Sequence, residues 1–212
     1  MHQEWQSVLA FFQLRSRGPE RRMLTTLETW KGASMARVRP LEREDLPAEH
    51  RHIYDDIAGS RGGVQPNFKA LLNNPLATAR MAALGGYVRF ETPLPPRVKV
   101  LAVLATAREN EGDYVWTANQ PQAQAAGIDA ATISAIRERR APQGLAPEDA
   151  VIVQFTLELL RQHRITDATY QAVQQRLGDA GVIDLLILIG YYGSLSHTLS
   201  ALEVMPPVPS AL

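Results

Sequence analysis

From residue 47 onward apolar positions recur at helical spacing, and no stretch alternates in the manner of a strand. Residues 47–57 carry Tyr54 and Ile57 at that spacing and are closed by "GSRGG". "QPNFKALLNNP" predicts a short helix stopped before Pro75, and Pro75 suits the first turn of the next one, "PLATARMAALGGYVRFE". "PLPPRVKVLAVLATAREN" starts a further helix with Val98, Leu101, Val103 and Leu104 on its apolar side. "DYVWTANQPQAQAAG" follows and ends at Gly127, a natural C-terminal cap. Asp129 caps "AATISAIRERR", and "PQGLAP" is a loop. "PEDAVIVQFTLELLRQH" places acids in its first turn and bases in its last, matching the helix dipole. Thr166 caps "DATYQAVQQRLG", which Gly178 closes. The last helix, "VIDLLILIGYYGSLSHTLSALEV", is apolar nearly all round over residues 182–189, so it belongs at the centre of the domain or at a subunit contact. The expected class is all-α.

Composition narrows the function. The chain has 212 residues, 45% of them hydrophobic, enough for one domain with a real core. Its 22 basic and 22 acidic side chains cancel, which gives no support for a nucleic-acid or acidic-membrane partner. Cysteine is absent, so disulfides, thiolate nucleophiles and thiolate metal sites are excluded. The longest apolar run, residues 181–190, is interrupted by Asp184 and is too short to span a bilayer. Near the start Glu4 precedes the apolar patch and no small-residue cleavage site follows, so a soluble, cytoplasmic protein is expected. Residues 1–34 stand apart, with a basic, helix-poor joint in "RSRGPERR". Met35 is expected to be the natural start of a domain over 35–212; the alternative is a helical arm over residues 4–14 packing on a neighbour.

Common catalytic signatures are missing: no phosphate-binding glycine loop, no dinucleotide fingerprint and no His-Glu-x-x-His. Among the five histidines, His50 and His52 face different ways on one helix, and His163 ends another. His197 shares a face with Gly190, Gly193 and Ser194, whose small side chains leave room. A histidine beside that room is a candidate proton carrier, and a core histidine bonded to a backbone carbonyl is the plainer alternative. Glu109 is a second, weaker candidate acid or base. Arg108 is able to bind a carboxylate in bidentate fashion or to pair with a neighbouring acid. No metal site is expected.

"RPLEREDLPAEHRHIYDDI", "VQPNFKALLNNP", "LPPRVKVLAVLATAREN", "YVWTANQPQAQAAGI" and "LLILIGYYGSLSHTLSAL" together resemble, in this order over roughly residues 36–205, the carboxymuconolactone decarboxylase family, to whose superfamily alkylhydroperoxidase D belongs. The resemblance implies an all-helical domain assembling into homotrimers or homohexamers, with a pocket near subunit contacts. It implies decarboxylase members that act on a lactone acid without metal or organic cofactor, and peroxidase members that use Cys-x-x-Cys with a nearby Glu and His. The chain departs where that chemistry sits. Val100 replaces a Glu of many relatives, and the usual Tyr-Glu-Trp-x-x-His reads Tyr114-Val115-Trp116-Thr117-Ala118-Asn119. Valine moves no proton, and asparagine only donates and accepts hydrogen bonds.

Two functional expectations follow. The first is a cofactor-free enzyme whose pocket is lined by Tyr114, Val115, Trp116, Asn119, Val100, Tyr192 and His197. It would act on a small lactone, keto acid or polyketide-like substrate by decarboxylation, isomerisation, elimination or cyclisation. Asn119 would polarise a carbonyl and His197 would carry the proton. The second is a ligand-binding or scaffold oligomer that has lost the family's proton relay.

Overall fold

The computed structural model describes residues 36–206, together with residues 208 and 212. The expectations for residues 1–34 and for Met35 lie outside the described residues. Among those described every regular element is helical. Two short 3-10 turns lead into α1 (Arg51–Arg61), α2 (Pro66–Leu71) and α3 (Pro75–Gly86). α4 (Pro96–Glu109), α5 (Asp113–Ala125) and α6 (Ala130–Arg137) follow, then α7 (Pro147–Gln162) and α8 (Asp167–Ala201).

Local chemistry sets these boundaries. The Asn74, Asp129 and Thr166 side chains accept from the backbone N–H three residues on, capping α3, α6 and α8. Gly62 closes α1 in the left-handed region, at φ 69°. Gly178, at φ 69° and ψ 174°, breaks α8 where the sequence pattern ends one helix and begins the next.

α4 is the central helix. Every residue from Val100 to Ala107 is buried, and α5, α6, α7 and α8 all pack on it. Ala102, Ala105 and Ala107 let those neighbours approach closely. The sequence pattern placed the last helix at the domain centre or at a subunit contact. α8 lies against α4, α5 and α7 through Val182, Leu185, Leu188, Ile189 and Leu199, leaving Ile183 and Ile187 exposed. By length and apolarity α8 would serve as a membrane span, yet most of its apolar stretch is buried among the other helices, as in a core helix. A smaller second core joins Leu46, Ile53 and Ile57 to Phe68, Leu72 and Ala82.

Between α3 and α4 the backbone widens into a π-helical segment, Tyr87–Glu91, closed by Thr92 N–H donating to Tyr87 O at 3.0 Å. Its anchor is remote in sequence. The buried Asp184 carboxylate of α8 accepts from Tyr87 Oη at 2.6 Å and Thr92 Oγ1 at 2.7 Å. Single π turns are often found at functional sites.

Candidate functional site

The π segment, α4, α5 and α8 enclose two adjoining cavities of about 320 and 510 Å³. Both are lined by Arg89, Phe90, Asn119, Gln122 and Tyr192, so these five residues form the junction. Val88, Lys99, Val100, Val103 and Leu188 wall the first cavity. Arg61, Phe68, Tyr114, Val115 and Leu195 wall the second.

One face of α5 supplies the floor. Val115, Asn119 and Gln122 follow at i, i+4 and i+7 and reach the cavities. Asn119 is buried, and its Nδ2 donates to Val115 O at 2.7 Å, which fixes the amide across the face. Gln122 Oε1 is buried without a hydrogen-bond partner, an acceptor available to a ligand donor. Tyr114 Oη donates to Asn67 Oδ1 at 3.2 Å, and burial raises its pKa. Burial also pushes the Tyr192 hydroxyl up to about 12, so it keeps its proton at neutral pH. Among the described residues no Asp, Glu or His lines either cavity, whereas Arg61, Arg89 and Lys99 do. Lys99 Nζ donates to Arg89 O at 3.0 Å, tying α4 to the π segment.

The structure thus brings together Tyr114, Val115, Asn119, Val100 and Tyr192 of the expected set. It separates the others. Trp116 is fully buried and lines neither cavity; one residue on from Val115, it points about 100° round α5 into the core. His197 is exposed and lines neither cavity, because the stripe of Gly190, Ser194 and His197 faces solvent while Gly193 alone turns toward Thr106 and Asn110. Glu109 is held by Arg161 in a bidentate pair at 2.7 and 2.8 Å, at the far end of α4. Arg108 donates to Arg137 O and to Glu111 Oε2, so it serves the same ion network. The arginine of "LPPR", Arg97, makes a bidentate pair with buried Asp149 at 2.6 and 2.9 Å. Arg61, Arg89, Phe90, Lys99 and Gln122 were not expected. For Lys99 and Gln122 the signal was their helical register with Val100, Val103 and Asn119; for the π segment there was none.

No family model matches the sequence, and no curated protein does. Solved structures do match. A Ralstonia eutropha structure described as an alkylhydroperoxidase AhpD core, an uncharacterized peroxidase-related protein, superposes with a TM-score of 0.67 at 16% identity, covering 81% of this chain and 92% of that one. The chain has the alkylhydroperoxidase D-like fold. A Silicibacter peroxidase-related protein has the same fold, with a TM-score of 0.65 at 18% identity over 81% of this chain and 90% of that one. So does the debrominase Bmp8, in a variant bound to 2,3,4-tribromopyrrole, with a TM-score of 0.63 at 13% identity over 81% and 91%. On the alkylhydroperoxidase D-like frame of this chain, the α5 face carries valine and asparagine, and the cations come from α1, the π segment and α4.

Proposed function

We propose that the chain is a cofactor-independent enzyme acting on a small carboxylate-bearing lactone, keto acid or polyketide-like compound, by decarboxylation, isomerisation, elimination or cyclisation. The observation that carries this reading is the double cavity walled, among the described residues, by three cations and no acid, with two amides and a phenol at its junction. Cations in a half-enclosed apolar space select an anionic ligand. Tyr192, Tyr114 and the exposed ring of Phe90 suit a flat or unsaturated body, in line with the small planar ring held by a debrominase of the same fold. Tyr192 and Asn119 supply donors to a developing enolate. Thiol peroxidase chemistry has no cysteine to use. The exposed Ile183 and Ile187 of α8 give a soluble homotrimer or homohexamer an apolar contact.

A second reading, a ligand-binding oligomer without turnover, is favoured by the lack of carboxylate and imidazole at the cavities among the described residues. Both are tested with a panel of unsaturated lactone acids and keto acids. Binding is followed by saturation-transfer NMR and conversion by mass spectrometry, in the parent and in Asn119→Ala. Conversion that falls in the variant supports the enzyme, and binding without conversion supports the second reading. If no member binds, the cavity assignment is wrong.

A further inference from the structure

We propose that Lys99 is a nucleophilic amine that forms a Schiff base with a β-keto acid in the cavity between the π segment and α4, and that the chain decarboxylates such acids through it. This rests on the small-carbonyl reading above and names its substrate class.

The placement comes first. Lys99 stands in the first turn of α4, half-buried, with Val100, Val103 and Leu188 as apolar neighbours on the cavity wall. One N–H is spent on Arg89 O, which holds the nitrogen in place. Once the amine is deprotonated its lone pair remains for a carbonyl carbon. Among the described residues no carboxylate lines this cavity to keep the ammonium charged, and burial lowers the Lys99 pKa. Lys69 makes the contrast: its ammonium sits 2.5 Å from Glu42, and its pKa is raised. Desolvation in an apolar pocket is one of the established ways to activate a lysine amine.

The residue type points the same way. Of the chain's 22 basic residues, only Lys31, Lys69 and Lys99 are lysines. The buried or bidentate ion pairs use arginine, as in Arg97 with Asp149 and Arg161 with Glu109. Arginine holds a charge but never gives up its proton, whereas lysine does. A cavity needing only positive charge has Arg89 already. Arg89 pairs with no carboxylate among the described residues, so it is available to a substrate carboxylate. Tyr192 keeps its proton and is a donor for the carbonyl oxygen.

The chemistry balances. The neutral amine adds to the ketone carbon and the carbonyl π pair moves to oxygen. Loss of water leaves a protonated imine. The bond to the carboxylate carbon breaks, CO2 departs, and the electron pair enters the imine to form an enamine. A proton adds to carbon, and water hydrolyses the imine to the ketone and the free amine. One β-keto carboxylate and one proton become one ketone and one CO2, with nothing oxidised or reduced by an outside agent.

The test uses the full chain with acetoacetate and with benzoylacetate, followed by sodium borohydride, digestion and peptide mass spectrometry. CO2 release is measured in parallel. The expected result is a reduced adduct on Lys99 and none on Lys69. In Lys99→Arg, which keeps the charge, and in Lys99→Met, CO2 release should fall by about a hundredfold or more, with the Lys99→Arg melting temperature unchanged. CO2 release without an adduct, or within twofold of the parent in a folded Lys99→Arg, overturns the role of Lys99 and leaves the cofactor-independent reading standing. If neither acid is decarboxylated while a lactone acid is converted, the substrate class falls and that reading again stands. If nothing in the panel binds at all, both fall.

Discussion

Replacing Asp184 by alanine removes the anchor of the π segment. The carboxylate is 5% exposed and receives hydrogen bonds from Tyr87 Oη and Thr92 Oγ1 at 2.6 and 2.7 Å. Those donors bracket Val88, Arg89 and Phe90, which wall the cavities. A hydrogen bond to a charged group contributes about 1.5–3 kcal/mol, so the gross loss is about 3–6 kcal/mol. Two effects reduce it. Alanine no longer bears the cost of burying a carboxylate whose side-chain partners among the described residues are the neutral Tyr87 and Thr92. Tyr87 is only half-buried, so its hydroxyl can turn to water. Thr92 is 6% exposed; its Oγ1 still accepts from Leu94 N–H at 3.3 Å, but its hydroxyl proton loses its acceptor, at about 1–3 kcal/mol. The expected net destabilisation is about 2–3 kcal/mol.

Urea unfolding followed by far-ultraviolet circular dichroism measures this, with the m-value as a check that the unfolded state is unchanged. A cycle with Tyr87→Phe should show a coupling of about 1 kcal/mol, because the two side chains share one bond. Asp184→Asn keeps the shape and one acceptor, and should cost less than alanine. An unchanged midpoint in Asp184→Ala, or strict additivity with Tyr87→Phe, refutes the anchor. The same variant should weaken ligand binding, since Arg89 and Phe90 lose their support.

Three further changes separate structural from functional residues. A Cβ on Gly112 would overlap Ser196 Oγ and come within 2.7 Å of Ser196 Cβ, so Gly112→Ala should cost about 1–3 kcal/mol by thermal unfolding. Adding Ser196→Gly should restore most of that loss; no effect of the first change would contradict the packing. Burial alone would raise the Glu158 carboxyl, but hydrogen bonds from Gln154, Thr166 and Thr169 outweigh it and hold its pKa below the ordinary glutamate value. Its folded pKa being the lower one, its contribution to stability is present above the unfolded value of about 4.3 and is lost as pH falls through the folded pKa. Glu158→Gln should therefore be less stable at neutral pH and show a flatter acid limb; a parallel pH profile would sink this. His197→Ala, on an exposed stripe, should shift stability by less than about 0.5 kcal/mol and leave ligand affinity unchanged. Asn119→Ala should weaken binding, and equal effects of the two would mean that the cavity has been misassigned.

What the sequence made legible was local. Asp129 and Thr166 cap helices because the hydroxyl or carboxylate meets an N–H three residues away, and Gly178 breaks α8 because its own backbone permits it. The fold class followed from such signals and from spacing. Which way a face points was not legible. Gly190, Ser194 and His197 do share a side of α8, as their spacing requires, but only the packing of α8 on α4 turns that side to solvent. Trp116 and Asn119 lie three residues apart on α5, close enough to read as one set, yet α4 and α8 divide them into core and cavity. The π segment escaped for the same reason, since its anchor Asp184 lies 92 residues beyond Thr92.

The acids missing from the sequence and the lysine found in the structure bear on one another. A glutamate in place of Val100 would lie next in sequence to Lys99, and one in place of Val115 would face the adjoining cavity. Either would offer an ammonium a counter-ion and keep it protonated. With valine at both positions neither α4 nor α5 offers that counter-ion there, and burial lowers the Lys99 pKa, the direction that Schiff-base chemistry needs. On that reasoning the emptied α5 face is a condition of the proposed chemistry: a relay built on α5 gives way to an amine on α4, and neither arrangement works in the presence of the other.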